Sequence, residues 1–188
     1  KKADSIEKQF GLYKDSYILY LGRIVPEKGE HYLIEAFKKV KTDKKLVIAG
    51  GASDTDDYME KLKRMAAGDE RIIFTGFVQG QILEELYSNA YIYCLPSDLE
   101  GMPLSLLEAM SYGNCCLTSD IDECAEVVED KAVLFRKSDV ADLQVKLQEL
   151  CDNKNEVEQY RKRAADFICS KYDWNKITEE TMVLYKVK

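Results

Sequence analysis

Two acidic residues, Glu100 and Glu108, bracket residues 96–110, where an apolar segment gives way to a helical pattern. Pro103 is typical of a first helical turn, because its missing N–H would be unpaired there in any case. Gly101 allows a tight turn and keeps side-chain bulk away from an approaching ligand. In α/β proteins, anionic ligands bind where the carboxyl end of a strand faces a helix N-terminus. This stretch therefore predicts an anion site flanked by two carboxylates.

Two cations, Arg23 and Lys28, lie five residues apart after the first predicted strand. A diphosphate needs positive charge, which Arg supplies as a fixed two-pronged donor and Lys as a point charge. In isolation, such a pair is typical of a solvated surface. Beside the helix start, the amides of residues 102–105 and the helix dipole favour negative charge as well. Together these groups predict one site for a diphosphate.

The two carboxylates admit more than one interpretation. An ionised carboxylate accepts hydrogen bonds, so Glu100 and Glu108 suit the hydroxyls of two sugars on opposite sides of a diphosphate. A glycosidase needs two carboxyls that face one scissile bond, and that interpretation leaves Arg23 and Lys28 without a role. Glu108 by itself also fits an ordinary solvated helix face. A dinucleotide site is not indicated, because no G-x-G-x-x-G follows the first strand.

The elements that must position these residues alternate along the chain. Short strands, most of them apolar throughout, alternate with helices, which is typical of a parallel sheet covered on both faces. We predict a single α/β domain over residues 1–188: a doubly wound, Rossmann-like parallel sheet of about six strands, flanked by helices, with extra C-terminal helices. Residues 1–16 are predicted to be linker-like, with a short helix near residues 5–10. The predicted strands are 17–21, 45–49, 71–74, 91–95, 114–118 and 132–135, and the predicted helices are 30–40, 54–67, 79–89, one ending at 112, 122–128, 139–150, 155–171 and 174–187.

Composition and charge narrow the classes of function. A net charge of −7 and a pI near 5.0 argue against a general nucleic-acid binder. No apolar run reaches the roughly 18 residues needed to span a bilayer. The six cysteines show no C-x-x-C spacing, which predicts a reduced, cytoplasmic protein with buried thiols rather than a disulfide or metal framework. The single histidine, His31, has no metal-ligand neighbours in the sequence.

The order and spacing of these motifs resemble a known family. From Tyr17 to the C-terminus, the chain resembles the C-terminal, donor-binding domain of the retaining GT-B glycosyltransferases of family four, also called glycosyl transferases group 1. Glu100 and Glu108 match the family's two glutamates, with seven residues between them. The other matching segments are 22–29 (GRIVPEKG), 74–78 (FTGFV), 95–97 (LPS), 107–110 (LEAM) and 112–113 (YG).

The resemblance implies roles for specific residues. Arg23 and Lys28 would bind the diphosphate and stabilise the leaving nucleotide, Glu100 would contact the donor sugar, and Glu108 would bind the ribose hydroxyls. The remaining donor-binding residues would act through the backbone: Gly22 in the loop after the first strand, Phe77 and Val78 at the base, and Gly101, Met102, Pro103 and Leu104 at phosphate and sugar oxygens. The family transfers a hexose from a nucleoside-diphosphate sugar with retention of configuration, without a metal or other cofactor.

The chain also departs from the family pattern. Gly101-Met102-Pro103 replaces the commoner Gly-Phe-Gly, which would alter the sugar pocket, and Asn114-Cys115 replaces a Pro followed by an apolar residue. The family's N-terminal acceptor-binding domain is missing, and the helix at 172–188 is expected to pack against it. We therefore expect a donor-binding half that is inactive alone, either a fragment or one half of a split enzyme.

The sequence constrains the acceptor and the identity of the donor less closely than the donor site. The acceptor would be a glycan or a lipid-linked sugar of polysaccharide biosynthesis, and any peripheral contact with the inner face of a membrane would be made through the missing domain. The base (uridine, guanosine or adenosine), the sugar and the oligomeric state leave no trace in the residues. The alternatives are a non-catalytic nucleotide-sugar-binding subunit or pseudo-enzyme and, more distantly, half of a sugar epimerase or phosphorylase.

Overall fold

Six parallel strands form one sheet in the computed structural model, which describes residues 1–51 and 56–172. The strand order is β3-β2-β1-β4-β5-β6, and every neighbouring pair is parallel. This is the predicted doubly wound, Rossmann-like sheet. The strands are β1 (Tyr17–Leu21), β2 (Lys45–Ala49), β3 (Ile72–Gly76), β4 (Ile92–Leu95), β5 (Cys116–Ser119) and β6 (Val133–Phe135).

The central strands are buried on both faces, as their unbroken apolar sequences predict. Every residue of β4 and β5 is buried, and so are the first four residues of β1. Such strands require helices on both faces of the sheet. In the described residues these helices are α1 (Asp4–Phe10), α2 (Glu30–Phe37), α3 (Asp56–Ala66), α4 (Gly80–Asn89), α5 (Leu104–Ser111), α6 (Asp122–Val128), α7 (Val140–Asp152) and α8 (Lys154–Lys171).

The strand order places a topological switch point between β1 and β4. The chain adds β2 and β3 on one side of β1, then returns to add β4 on the other side. Loops that leave the carboxyl ends of β1 and β4 therefore diverge, and ligands of open α/β sheets bind in the crevice between such loops. Both loops carry predicted site residues, since Arg23 and Lys28 follow β1 and Glu100 follows β4.

The short helix predicted near residues 5–10 is present as α1, but the first 16 residues are not the linker-like segment that the sequence predicts. They contain α1, whose Ile6 is fully buried, as is the following Leu12. The buried Glu85 on α4 accepts hydrogen bonds from the amides of Ser5 and Ile6, so α4 satisfies the first turn of α1. This segment is thus part of the domain. The apolar contacts of this segment are hard to detect in the sequence, because only one residue of α1 is buried and charged residues lie on both sides of it.

Several boundaries also differ from prediction by one to three residues, and one predicted element cannot be compared. Helix α2 ends at Phe37 rather than residue 40. Strand β5 begins at Cys116 rather than residue 114, because the Asn114 side chain donates to the carbonyls of Tyr87 and Ala109 in the turn after α5. The helix predicted at 174–187, with its proposed packing on another domain, lies outside the described residues.

All six cysteines are free thiols, as predicted, but only four of them are buried. Cys94, Cys115, Cys116 and Cys124 are buried, Cys151 is half-buried and Cys169 is exposed, and none forms a disulfide. Burial raises the pKa of the Cys115 thiol to about 12 and that of Cys124 to about 11, so these thiols behave as small apolar groups. Within 1–51 and 56–172, no helix has the length and apolar character of a membrane span.

Candidate functional site

The loop after β1 is held from below by a buried tyrosine. The Tyr20 hydroxyl donates to the Arg23 carbonyl at 2.7 Å, and Gly22 lies directly over it, because a Cβ at Gly22 would come within 2.9 Å of that hydroxyl oxygen. On its other side, the loop pairs with the exit of β2: Gly22 donates to the Ala49 carbonyl, and Ile24 donates to Gly51 at 3.1 Å. The backbone around Arg23 is therefore fixed, while its side chain is exposed.

A cavity of about 340 Å³ lies beside this loop. Four predicted donor-binding residues line it: Gly22 and Arg23 after β1, and Phe77 and Val78 after β3. Phe77 is 74% exposed, which is unusual for a large aromatic side chain that has no ligand or partner to cover it. The other lining residues are Leu21, Gly50, Gly51 and Leu83. One cation, small glycine walls and an apolar patch thus face the same space.

Lys28 and Glu100, predicted to bind the diphosphate and the sugar of a donor, contact each other. The Lys28 ammonium lies 2.6 Å from Oε1 of Glu100, and the Ser97 hydroxyl donates to that same oxygen at 2.6 Å. Only 16% of the Lys28 side chain and 4% of the Glu100 side chain are exposed. In the absence of ligand, the carboxylate therefore neutralises one of the two cations proposed for the diphosphate.

A backbone hydrogen bond and a close backbone contact join the β1 and β4 loops around this ion pair. The Asp98 amide donates to the Glu27 carbonyl at 2.8 Å, and Gly29, at φ +75°, lies against the Pro96 carbonyl with no room for a side chain. The Asp98 carboxylate accepts from the hydroxyls of Tyr32, at 2.8 Å, and Ser138, at 2.6 Å. The positions of Lys28 and Glu100 thus depend on contacts between segments roughly 70 residues apart.

The start of α5 offers fewer backbone donors than the sequence predicts. Pro103 precedes the first helical residue and has no N–H, and the Leu104 amide donates to the Met102 carbonyl at 2.8 Å. The amides of Gly101, Met102 and Ser105 meet no acceptor among the described residues, and the first amides of a helix lack intrahelical partners. These three amides, rather than those of all residues 101–104, are the ones available to an anion.

The first turn of α5 is tied to the carboxyl end of β1. The Tyr93 hydroxyl on β4 lies 2.8 Å from the Ser105 hydroxyl and 3.2 Å from the Leu21 carbonyl, so it links the two elements. Leu21 lines the same cavity as Arg23. The α5 N-terminus and the Arg23 loop are therefore neighbours at the switch point.

Glu108 lies one turn further along α5 and is exposed. Burial and the charge of Glu108 raise the pKa of the Tyr87 hydroxyl above its ordinary value, which places the carboxylate near α4. Glu108 lines a different and mostly apolar groove of about 590 Å³ between α5 and α8. The other residues of that groove are Met102, Leu104, Leu107, Ser111, Ile168, Cys169 and Tyr172. Met102, Leu104 and Glu108 thus do not line the cavity that contains Arg23.

Sequence reasoning missed the residues that hold the site in shape. In the sequence, Tyr20 has the pattern of an apolar strand position, and Asp98 has the pattern of a turn residue. Tyr20 acts on the backbone of Arg23, three residues further on, and Asp98 acts through Tyr32 and Ser138 in distant segments. No local spacing signals such contacts. Within residues 1–51 and 56–172, no group of three or more His, Cys, Asp or Glu residues has the arrangement of a metal site, and the prediction of metal-free transfer stays a prediction.

Comparison with known proteins adds three findings. The family model described as "Glycosyl transferases group 1" matches residues 2–167. The chain is 29% identical over 188 residues to an uncharacterized glycosyltransferase of Methanocaldococcus jannaschii, covering 97% of this chain and 48% of that protein. It is 27% identical over 186 residues to the O-antigen chain mannosyltransferase B of Escherichia coli, covering 96% of this chain and 48% of the relative. The chain therefore spans about half the length of these relatives.

Solved structures share the fold. The Anabaena protein HepE in complex with UDP aligns with a TM-score of 0.89 and 18% identity, over 98% of this chain and 52% of that one. The sucrose-phosphate synthase of Thermosynechococcus elongatus aligns with a TM-score of 0.81 and 23% identity, over 97% of this chain and 48% of that one. Both matches cover nearly all of this chain and about half of the solved protein.

Proposed function

The chain belongs to the glycosyl transferases group 1 family, and from that premise we propose that it is the donor-binding half of a retaining hexosyltransferase. It would bind a nucleoside-diphosphate sugar, and the acceptor, a glycan or a lipid-linked sugar, would be held by a domain outside this chain. The observation that carries the proposal is the meeting of Gly22, Arg23, Phe77 and Val78 around one cavity, beside the N-terminus of α5.

In the proposed complex, the diphosphate would lie at the switch point between β1 and β4. Arg23 is exposed there on a fixed backbone, and the amides of Gly101, Met102 and Ser105 add donors from the start of α5. Charge develops on the leaving nucleotide as the bond to the sugar breaks, and preorganised donors stabilise such charge without reorganising. Arg23, Lys28 and the helix dipole would supply this stabilisation.

The donor sugar would lie next to Glu100. Oε1 of Glu100 is occupied by Lys28 and Ser97, so Oε2 is the oxygen left to accept from a sugar hydroxyl. When Lys28 binds the diphosphate instead of Glu100, both oxygens of that carboxylate would be closer to availability for the sugar hydroxyls. HepE, whose fold is similar, has been crystallised with UDP and with UDP-glucose, which supports a uridine nucleotide as the first probe.

Calorimetry with UDP, GDP and ADP tests the proposal. We expect at least one of them to bind the folded chain weakly, and Arg23→Ala to weaken that binding by about tenfold, as expected for a lost charge-assisted contact. Arg64→Ala, at an exposed arginine on α3 outside the cavity, is the matched control and should leave the affinity unchanged. Absence of binding by all three nucleotides would refute the proposal.

The alternative is a non-catalytic nucleotide-sugar-binding subunit. Both functions predict donor binding, so binding does not separate them. Transfer assays with the chain and a separately expressed acceptor-binding half do separate them. Restored transfer that Glu100→Gln abolishes would support the enzyme, whereas donor binding without transfer would support the subunit.

A further inference from the structure

Glu30 is a fully buried carboxyl at the start of α2, immediately after the turn that carries Lys28. Acidic residues in a first helical turn are favoured by the helix dipole, but they are usually solvated. Here the Tyr58 hydroxyl on α3 donates to Oε2 at 3.0 Å, and Oε1 has no hydrogen-bond partner in the described part of the chain. A buried and incompletely satisfied carboxyl is costly, so its position beside the candidate site calls for a reason.

The carboxyl supports the Arg23–Lys28 loop from inside the protein. Tyr20 and the backbone of Val25 lie close enough to the carboxyl to favour its charged form and lower its pKa. The Tyr20 hydroxyl donates its proton to the Arg23 carbonyl at 2.7 Å, so the same tyrosine lies next to both the carboxyl and the peptide of the proposed phosphate ligand. Displacing Glu30 would therefore disturb the loop that holds both cations.

Few groups around Glu30 change charge near neutral pH. Desolvation raises the pKa of Glu30 to about 7, although its hydrogen bonds act in the opposite direction. The neighbouring Tyr20 and Tyr58 have pKa values raised well above the ordinary range by burial and by the charge of Glu30 itself, so they stay neutral. His31, whose Nδ1 lies 2.8 Å from the Tyr58 hydroxyl, has its pKa lowered, first by burial and then by Lys61.

The remaining charges that face this cluster come from the two site loops. On the far side of Tyr20, Glu100 raises the pKa of that tyrosine, and Glu100 is paired with Lys28. The charges of the two loops beside Glu30 are thus the Lys28–Glu100 pair and the exposed Arg23.

We propose that Glu30 is a positioning residue for the diphosphate-binding loop and that it takes up one proton from solvent when a nucleoside diphosphate binds. This inference rests on the proposed function. A diphosphate brings negative charge to the outer side of the loop that Glu30 supports from within, and two anions in a desolvated region repel each other. Protonation of Glu30 removes this repulsion. Oε1, which lacks a partner, is the oxygen that receives the proton.

UDP calorimetry between pH 6.0 and 8.5, on the wild-type chain and on Glu30→Gln, tests the proposal. Glutamine copies the protonated carboxyl in shape and in donor capacity, so the variant should fold and bind. Titration of UDP itself affects both proteins equally and cancels in the ratio of their Kd values. We expect the ratio of wild-type to variant Kd to rise by about threefold or more across this range, as proton linkage requires. If Glu30 had only a structural role, Glu30→Gln would change the affinity for UDP but not the pH dependence of that affinity.

Two further measurements keep the proposal falsifiable. At pH 7, titrations in buffers of different ionisation enthalpy should show more proton uptake by wild type than by Glu30→Gln. If Glu30→Gln does not fold, the wild-type titrations decide the question: absence of net proton uptake then overturns the proposal. His31→Gln should keep the wild-type pH dependence, and its loss would assign the proton to His31 instead.

The possible failures are distinguishable. Parallel pH profiles for wild type and Glu30→Gln, with UDP bound by both, would refute only the role of Glu30. Absence of UDP binding by folded wild type at every pH would refute a uridine-nucleotide site in the loop, and the proposal about Glu30 with it.

Discussion

Replacing Glu100 by glutamine should weaken the fold and at the same time strengthen the binding of UDP. The Glu100 carboxylate lies 2.6 Å from the Lys28 ammonium, and both side chains are nearly buried. At an effective dielectric constant of about 20, unit charges at that distance attract by about 6 kcal/mol before desolvation is counted. Desolvation offsets most of this attraction. We therefore expect a net loss of about 1.5–3 kcal/mol in the free energy of unfolding, the range for hydrogen bonds to charged groups.

Binding should move in the opposite direction because the pair competes with the ligand for Lys28. An ammonium has three donors, and Glu100 holds it in the absence of ligand. With a neutral glutamine, Lys28 is available to the diphosphate, and we expect UDP to bind about fivefold more tightly, or by about 1 kcal/mol. UDP-glucose should gain less, because Glu100 is also the proposed partner of the sugar. The preference for UDP-glucose over UDP should therefore fall.

Calorimetry with both ligands, together with urea denaturation, measures these effects. Glu35→Gln is the matched control, because Glu35 is an exposed glutamate on α2 that pairs with Lys39 on the same helix surface. It should change neither affinity. Weaker binding of UDP to Glu100→Gln would refute the competition, and equal tightening by Glu35→Gln would reduce it to a general charge effect.

Three further changes probe the site and the fold. Glu108→Ala should weaken UDP about tenfold but leave inorganic pyrophosphate unaffected, if Glu108 binds ribose hydroxyls; equal losses in calorimetry would contradict that role. Gly29→Ala should destabilise the fold by more than about 2 kcal/mol in urea denaturation, because φ is +75° and the Pro96 carbonyl fills the side-chain position; an unchanged midpoint would contradict this close contact between the β1 and β4 loops. The pKa of Glu30 is raised from 4.5 to about 7, so between those values the folded protein binds more protons than the unfolded chain, and stability should fall by about 3 kcal/mol as pH rises. Glu30→Gln should remove that fall, and identical stability profiles for both proteins would show that Glu30 does not titrate there.

The sheet was predictable because its determinants are local. Strands such as β1 and β4 are apolar in every position, and the intervening segments carry helical spacing, which together indicate a parallel sheet covered on both faces. The strand-exit position of Arg23, Phe77 and Glu100 follows from that topology. Their gathering at one edge needs only the rule that parallel strands end on the same side of the sheet.

The electrostatics of the site were not predictable, because they arise from contacts between distant segments. Lys28 and Glu100 were each assigned to a part of the ligand, yet they pair with each other. Their pairing depends on the approach of Gly29 to Pro96 across 67 positions of sequence. Glu30 has the sequence signature of an ordinary first-turn acid, and only the packing of β1 and α3 around it makes it a buried group.

The N-terminal segment shows the same limit in the core. Residues 1–16 carry many charges and no strong period, which favours a linker. Ile6 and Leu12 are nevertheless fully buried, and Glu85 holds the start of α1 through two backbone amides. The short helix is predictable, but its packing is not, because a helix that buries only Ile6 leaves no apolar period in the sequence.

The central claim is that a nucleoside diphosphate binds at the switch point between β1 and β4. Backbone-amide NMR of the 21.6 kDa chain during titration with UDP tests it most directly. The account predicts that the largest shift changes fall on Gly22 and Arg23, on Phe77 and Val78, and on the amides of Gly101, Met102 and Ser105. Changes confined to the groove between α5 and α8, or spread evenly over the surface, would contradict it.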